Sequence, residues 1–304
     1  MSTFSIAAWD PVRGDWGAAV QSNYLAVGAL VPFVRAGVGV VLTQATASRP
    51  LALAALAELQ AGQGAARALA CALARDDRPA ERQLAVLDGA GAAAAHTGGA
   101  CSDQAGHVAG ERYLCVGNTL HPGTLAAMAE AFEAAGTARD GELADWLLAA
   151  LEAGATAGGD RRGELAAALQ VARRDGGFGG DNDRYLDLRV DAHARPMAAL
   201  ARLVALHHLY YRQPGAGDWQ ALAGLDAQIL GVLAQRAGVT APALQAREAG
   251  VASVLARWLA DHNIEHAFDP RRWQVRRELA DYLSVLDSGS GVPSKSSQFR
   301  VSKQ

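Results

Sequence analysis

The sequence predicts an α+β protein: a four-layer αββα sandwich of two antiparallel sheets flanked by helix pairs, followed by a small all-α domain. Three observations lead to this class. Strand-like runs come in blocks joined by Gly-containing turns, helical runs come in pairs, and the two kinds do not alternate singly. A doubly wound parallel sheet would require such alternation, whereas blocks joined by hairpins are typical of antiparallel sheets.

Short apolar runs bounded by turn residues define the strands, and longer Ala/Leu-rich runs define the helices. Asp10–Asp15 contains Pro and Gly at turn positions and predicts the first hairpin loop. The predicted strands are Phe4–Trp9, Trp16–Gln21, Val38–Thr43, Gln83–Asp88, Ala92–Thr97, Arg112–Val116, Glu164–Arg173 and Tyr185–Asp191. The predicted helices of this region are Leu51–Ala61, Gly64–Arg75, Gly123–Ala135, Gly141–Ala153 and Pro196–Gln213.

Breaks in composition divide the chain into three parts. Pro214-Gly215-Ala216-Gly217 ends the last long helix and predicts a domain boundary, with the sandwich in residues 1–215. Residues 216–287 look entirely helical from residue 218 onward and form a small second domain. Residues 288–304 are rich in Ser and hold Lys295 and Lys303, and we expect a disordered tail there, of the kind that an expression vector adds.

The bulk composition excludes several functional classes. Half of the residues are hydrophobic and the net charge is only −3, which favours neither nucleic acid nor an anionic membrane as a partner. Three cysteines without a CxxC pair indicate neither a disulfide framework nor a structural zinc site. The sequence shows no leader and no long apolar run, so we expect a cytoplasmic protein.

The densest polar segment lies between Gly158 and His193. In its last seven residues the polar side chains recur at every second position, so a strand would present them on one face. These residues are Asp187, Arg189, Asp191 and His193. Such a strand either has a polar face that belongs to a site or is an exposed edge strand. The segment Asp160-Arg161-Arg162, bounded by glycines, either binds a substrate carboxylate or forms ion pairs that hold two loops together.

Several separated motifs resemble one family of prokaryotic proteins, named domain of unknown function 1028. The matching segments are Phe4-Ser5-Ile6, Gly17–Ser22, Ala26–Ala29, Thr43-Gln44-Ala45, Ala105–Val108, Gly117-Asn118, Gly158–Gly163 and Asp187–Asp191. The resemblance covers about residues 1–213 and implies a fold like that of the N-terminal-nucleophile hydrolases (Ntn hydrolases), which is an αββα sandwich. Residues 216–286 resemble, more weakly, a small peptidoglycan-binding module.

In Ntn hydrolases the free α-amine is the base for the hydroxyl or thiol of the same residue. The resemblance therefore implies Ser2 as the nucleophile after Met1 is removed, or Thr3 if Ser2 is removed as well. Family members often begin Met-Thr, so Ser2 is an insertion relative to them. Asn118 is the candidate donor to an oxyanion, and Asn23, Gln44 and backbone N–H groups are the alternatives. Candidate substrate-binding residues are Ser22, Asn23, Thr43, Gln44, His107, Asp160, Arg161, Asp187, Arg189, Asp191 and His193.

The first functional hypothesis is a cofactor-independent, metal-free amidohydrolase that acts on a small amide, cyclic or carboxylate-bearing. The second is a non-catalytic scaffold that binds a ligand or a cell-wall fragment, with the helical domain serving recognition or homo-oligomerisation. In both cases the expected partner is a small molecule, together with further copies of the chain.

Overall fold

The computed structural model describes residues 2–102, 104–138, 141–212 and 215–287. The predicted tail, 288–304, lies outside these residues. The chain divides into two compact units between Leu200 and Ala201. This division falls inside the helix Pro196–Tyr211, whereas the sequence predicts the boundary after residue 215. The interior of a helix carries no turn residues, so nothing in the local sequence indicates a division there.

Ten strands lie in the described part of the first unit, and all neighbouring pairs are antiparallel. They are β1 Thr3–Asp10, β2 Asp15–Ser22, β3 Pro32–Arg35, β4 Gly39–Ala45, β5 Arg82–Asp88, β6 Ala93–Thr97, β7 Gly106–Gly110, β8 Tyr113–Asn118, β9 Ala166–Arg173 and β10 Arg184–Val190. One sheet has six strands in the order β10-β9-β2-β1-β8-β7, and the other has four in the order β3-β4-β5-β6.

Two helix pairs cover the outer faces of the sheets. Helices α1 Arg49–Gln60 and α2 Ala65–Leu73 pack on the four-stranded sheet, where Leu56 and Val86 belong to one apolar cluster. Helices α3 Thr124–Ala138 and α4 Leu143–Thr156 pack on the six-stranded sheet. The inner faces of the two sheets share a core of Ala and Val with a few Leu. These four layers confirm the predicted αββα sandwich.

Strand β1 is central to the six-stranded sheet and is buried on both faces. Phe4 lies on the face covered by α4, beside Gly154, while Ala7 belongs to the core between the sheets. The residues that share a face with Ala7 alternate along the strand and include Thr3 and Ser5. Polar side chains at the start of β1 therefore lie inside the sandwich, between the two sheets.

The sequence analysis missed two strands, β3 and β7. Strand β3 has four residues and begins with a proline, and β7 begins and ends with glycine, so neither shows the long alternation of a typical strand. Both are edge strands, where proline and glycine are tolerated. The remaining predicted strands and helices of this unit coincide with observed ones to within a few residues.

The second unit is mainly helical, with α5 Pro196–Tyr211 entering it and α6 Ala227–Ala237, α7 Ala241–Ala246, α8 Val251–Ala260 and α9 Arg277–Asp287 inside it. It also contains a three-stranded antiparallel sheet, β11 Trp219–Ala221, β13 Gln274–Arg276 and β12 Phe268–Asp269, in that order. The prediction of an all-α unit is wrong on this point. Strands of two or three residues are too short to show an alternating pattern.

Candidate active site

The hydroxyl of Ser2 is enclosed at the start of β1. Ser2 is 3% exposed, and its Oγ donates a hydrogen bond to Oδ1 of Asp160, which is itself 5% exposed. The same carboxylate accepts the backbone N–H of Arg162 at 2.9 Å and that of Asn23 at 3.0 Å. Asp160 thus holds together three segments that are far apart in sequence: the start of β1, the end of β2 and its own loop.

Glycines shape the loop that carries Asp160. Gly158, Gly159 and Gly163 all have positive φ, a region that residues with a Cβ rarely adopt. The backbone of Gly159 also passes close to the ring of Phe4, and an added Cβ would come within 3.0 Å of it. The glycine spacing noted in the sequence therefore serves a tight turn that brings a carboxylate to the head of β1.

Thr3 begins a group of uncharged polar side chains between the sheets, which we call the neutral cluster. Its members are Thr3, Ser5, Ser22, Gln44, Gln83 and Asn118, and every one is at most 2% exposed. In the strand register Thr3 lies opposite Ser22 on one side and Asn118 on the other. Thr3 Oγ1 donates to Ser22 Oγ at 3.2 Å, and Ser22 Oγ donates to the carbonyl oxygen of Ser2.

Gln83 on β5 connects the two sheets across this cluster. Its Oε1 accepts the side-chain amides of Gln44 at 2.9 Å and Asn118 at 3.0 Å. Its Nε2 donates to the carbonyl of Gly117 at 2.8 Å. Ser5 Oγ donates to Gln44 Oε1 at 2.6 Å. The neutral cluster is therefore a hydrogen-bonded layer that fixes the amide of Asn118 beside Thr3.

The sequence analysis missed Ser5 and Gln83. Their signal is the alternation itself: Ser5 shares a face with Thr3, and Gln83 pairs directly with Gln44 on β4. A polar residue at an inward position of a central strand indicates a buried polar layer, but only once the inward face is known.

Four further residues that the sequence analysis predicted for substrate binding lie in different places relative to Ser2 and Asp160. Asn23 binds the Asp160 loop through both its backbone and its side chain, whose Nδ2 donates to the Arg162 carbonyl at 2.7 Å. Arg161 has an exposed side chain, and its N–H donates to the carbonyl of Thr119 at 3.0 Å. Thr43 is on the opposite face of β4, where its hydroxyl accepts the N–H of Ser48. His107 is exposed on the edge strand β7.

The alternating residues of β10 do not meet Ser2. Strand β10 is an edge, and β9 and β2 separate it from β1, a distance of about 14 Å at the usual strand spacing. Asp187 accepts Gln170 Nε2 at 3.3 Å and pairs with Arg189 at 3.4 Å. Asp191 and His193 follow the strand and are exposed. β10 is thus an edge strand, and the role of its polar face in a site stays a prediction.

A cleft of about 210 Å³ opens at this edge, between β3 and the strands β9 and β10. Asp187 and Gln170 contribute to its wall, but neither Ser2 nor Asp160 does. The predicted gathering of Asp187 and Asp160 around one pocket therefore does not occur within this cleft.

A second polar group lies at the opposite end of the six-stranded sheet, and we call it the ionic cluster. Arg173 on β9 makes a two-pronged ion pair with buried Asp15 at 2.6 and 2.7 Å, and it also contacts Glu142 at 3.2 Å. Tyr185 donates its hydroxyl to Glu142 at 2.6 Å, and its ring lies under the Arg173 guanidinium. Burial raises the pKa of Asp15 although Arg173 acts to lower it, and burial also raises the pKa of Tyr185.

Within the described residues no helix is long and apolar enough to cross a membrane. The same residues include no group of three or more His, Cys, Asp or Glu placed to hold a metal ion.

Comparison with known proteins decides the family. Residues 3–200 match the model of a group described as Family of unknown function (DUF1028), which is well over half of the chain. The chain belongs to the DUF1028 family. A crystal structure of a DUF1028 protein from Silicibacter pomeroyi has 33% sequence identity with it and a TM-score of 0.61. That similarity covers 68% of this chain and 90% of the other. No match was found among curated proteins.

The DUF1028 match begins at Thr3 and ends at Leu200, where the first compact unit also ends. It includes Asp160 and the whole neutral cluster. The second unit lies outside it.

Proposed function

We propose that this DUF1028 protein is a cofactor-independent amidohydrolase of the Ntn type, whose nucleophile is the hydroxyl of its N-terminal residue. One observation supports this most strongly: the Ser2 hydroxyl is enclosed and oriented by Asp160 at the head of the central strand. A serine at the second position with no role would be expected to fray in solvent.

The reaction would proceed through an acyl-enzyme, in a chain from which Met1 has been removed. Ser2 Oγ adds to the amide carbonyl carbon while its proton passes to the free α-amine, whose pKa is ordinarily about 7.7–8.0. The C–N bond then breaks, and the ammonium returns the proton to the leaving nitrogen. Water, deprotonated by the same amine, hydrolyses the ester. The Asp160 hydrogen bond would hold Oγ in one rotamer before the attack, and the single hydroxyl proton would turn from Asp160 to the α-amine as Oγ adds to the carbonyl.

In this mechanism Asn118 is the donor to the oxyanion, with backbone N–H groups as the alternative. Its side-chain amide carries two hydrogens, and one of them is directed to Gln83. That bond fixes the orientation of the amide, and a fixed donor is what stabilises developing negative charge.

Thr3 is the nucleophile instead if Ser2 is also removed. Its hydroxyl is hydrogen-bonded to Ser22 and lies opposite Asn118 in the strand register. The DUF1028 match also begins at Thr3. The mass of the mature chain distinguishes the two arrangements, because they differ by one serine.

The proposal is tested with an untagged chain and a β-lactone probe, which acylates reactive hydroxyls and adds its whole mass to the protein. Intact and peptide mass spectrometry are expected to find a single adduct on the N-terminal residue, Ser2 or Thr3. For a chain beginning at Ser2, Ser2→Ala should abolish the adduct. Ser5→Ala, which removes another buried hydroxyl from β1, should retain it.

A retained Met1, an acetylated Ser2 or an adduct elsewhere would contradict the N-terminal mechanism. The alternative function, a scaffold that binds a ligand without cleaving it, would then be the better description.

A further inference from the structure

The loop after β2 carries apolar side chains into solvent beside the Asp160 site. Tyr24 is 48% exposed and Leu25 is 59% exposed, although they follow closely on the buried Ser22. Exposed apolar side chains rimmed by polar residues are a feature of ligand-binding sites, and these two lie next to the polar Asp160 site.

The backbone of this loop is held at three points. The N–H of Asn23 binds Asp160 at 3.0 Å, and the N–H of Ala26 binds the carbonyl of Asp191 at 2.9 Å. Gly28 packs so closely on Arg189 that an added Cβ would come within 2.9 Å of its Cγ. Tyr24 and Leu25 therefore project from a fixed segment rather than from a free loop.

Ala26 provides a further constraint. Its φ of 53° and ψ of 39° are in the left-handed region, which a residue with a Cβ adopts only when its surroundings enforce it. The strain lies at the residue immediately after the two exposed side chains. The conformation that presents Tyr24 and Leu25 is thus built into the fold.

A cationic residue directly follows Asp160 in the chain. Arg161 is exposed, and its backbone is bonded to Thr119, next to Asn118. Arginine binds carboxylates through two parallel hydrogen bonds. Tyr24 and Leu25 thus directly follow Asn23, whose N–H binds Asp160, and Arg161 directly follows Asp160 itself. We call these residues the two borders of the Ser2 site, one apolar and one cationic.

We propose that these two borders select the substrate, which is a small amide combining an apolar group with a carboxylate, as in an N-acyl amino acid. Tyr24 and Leu25 contact the apolar group, and Arg161 binds the carboxylate. A protein partner fits less well, because a stable interface needs about 20–30 residues a side and this patch has two. The inference rests on the proposed function and specifies its substrate class.

The experiment compares three amides: N-benzoylglycine, N-acetylglycine without the apolar ring, and N-benzoylglycinamide without the carboxylate. The rate of amide cleavage is measured by mass spectrometry for the untagged chain. We expect N-benzoylglycine to be cleaved about 10-fold faster than either of the others, the size of effect that a lost apolar contact or ion pair produces.

Two variants test the apolar border and the cationic border separately. Tyr24→Ser with Leu25→Ser should reduce the benzoyl-over-acetyl preference from about 10-fold to about one. Arg161→Gln should instead remove the preference for the acid over the amide. Val12→Ser and Arg67→Gln, which alter exposed residues on the β1–β2 loop and on α2, should leave both preferences unchanged.

Each outcome bears on one of the two proposals. Labelling of the N-terminal residue by the β-lactone without cleavage of any amide would contradict the substrate class but not the proposed nucleophile. Unchanged substrate preferences in the variants would have the same meaning. If the β-lactone labels nothing at the N-terminus, the proposed function itself has failed. A change of oligomeric state in the Tyr24/Leu25 variant, measured by light scattering, would assign the patch to an interface and overturn the inference.

Discussion

Polar side chains are buried at both ends of the six-stranded sheet, but they are uncharged at one end and charged at the other. At one end the neutral cluster uses hydroxyls and amides between the two sheets. At the other end the ionic cluster pairs Arg173 with Asp15 and Glu142 beneath α4. Strand β2 contributes to both clusters, through Ser22 at its last residue and Asp15 at its first.

The two clusters differ in the free energy that is lost when one of their side chains loses its partner. A buried ion pair must stay complete, because removing one partner leaves an uncompensated charge. A neutral hydroxyl or amide loses less when a partner leaves, about 1–3 kcal/mol, so a neutral cluster can support a group that changes partners during a reaction. We therefore expect substitutions in the ionic cluster to affect stability and those around Ser2 to affect chemistry.

The largest expected effect is on the ionic cluster. Arg173→Met deprives the buried Asp15 and Glu142 carboxylates of this cation and should lower the free energy of unfolding by about 4 kcal/mol at pH 7. Urea denaturation measures it. Arg174→Met, which alters the exposed neighbour, should change it by no more than about 0.5 kcal/mol. A loss under about 1 kcal/mol would show that the cluster is not a stabilising unit.

The same variant has a predicted pH dependence. Burial raises the pKa of Asp15 above its ordinary 3.8, so the folded state binds this proton more tightly than the unfolded state. The raised pKa of Asp15 therefore stabilises the folded state below pH 3.8, and this stabilisation is lost as the pH rises through the pKa of the folded state. Without Arg173 that pKa rises further, so the stability lost in Arg173→Met should be smaller at pH 4 than at pH 7. An equal loss of stability at pH 4 and at pH 7 would contradict the assignment of this pH dependence to Asp15.

The next effect concerns the site. Asp160→Ala releases the Ser2 hydroxyl and both loop N–H bonds, and it should slow β-lactone acylation of the N-terminal residue about 100-fold, because misplaced reacting groups cost that much. Asp77→Ala, which alters an exposed carboxylate between α2 and β5, is the control and should leave the rate within about 2-fold. An unchanged rate in Asp160→Ala would mean that the carboxylate is only a structural link.

Gln83→Leu tests the neutral cluster as a structure. It deprives Gln44, Asn118 and the Gly117 carbonyl of their partner and should destabilise the fold by about 2 kcal/mol, measured by urea denaturation. Gln63→Leu, at an exposed position, serves as the control. A loss as large as that of Arg173→Met would remove the distinction between the two clusters.

The smallest expected effect is that of Tyr185→Phe. It removes the hydrogen bond to Glu142 but keeps the ring under Arg173, and about 1 kcal/mol of stability should be lost. Tyr24→Phe, at an exposed phenol, should cost less than about 0.5 kcal/mol. Equal values in the two variants would indicate that the Tyr185 hydroxyl adds nothing to the ion pair.

The sequence predicted the sandwich because antiparallel hairpins and helix pairs are local features. It did not predict β7, whose glycines hide its alternation, or the short strands of the second unit. It predicted one strand face for Asp187, Arg189, Asp191 and His193, but β10 ends at Val190, so only Asp187 and Arg189 share that face. A face alone also does not tell an edge strand from a central one. That distinction depends on the order of strands in the sheet, which is a long-range property.

The contacts of the candidate site are also long-range, so the sequence supplies candidate residues without showing which of them meet. The resemblance pointed to Ser2, Thr3 and Asn118, and the glycine-bounded loop pointed to Asp160. The contact between Asp160 and Ser2 joins residues 158 positions apart and has no local signal. Gln83 was missed because its importance comes from Gln44 and Asn118, which reach it from two different strands.

That separation along the chain has a consequence for biosynthesis. A ribosome that adds about 5–20 residues per second needs roughly 8–30 seconds to pass from Ser2 to Asp160. Throughout that interval the emerging polypeptide has a start for β1 but no carboxylate to enclose it. The terminus is accordingly open to the enzymes that trim nascent chains throughout that interval, and the Asp160 carboxylate encloses it only afterwards.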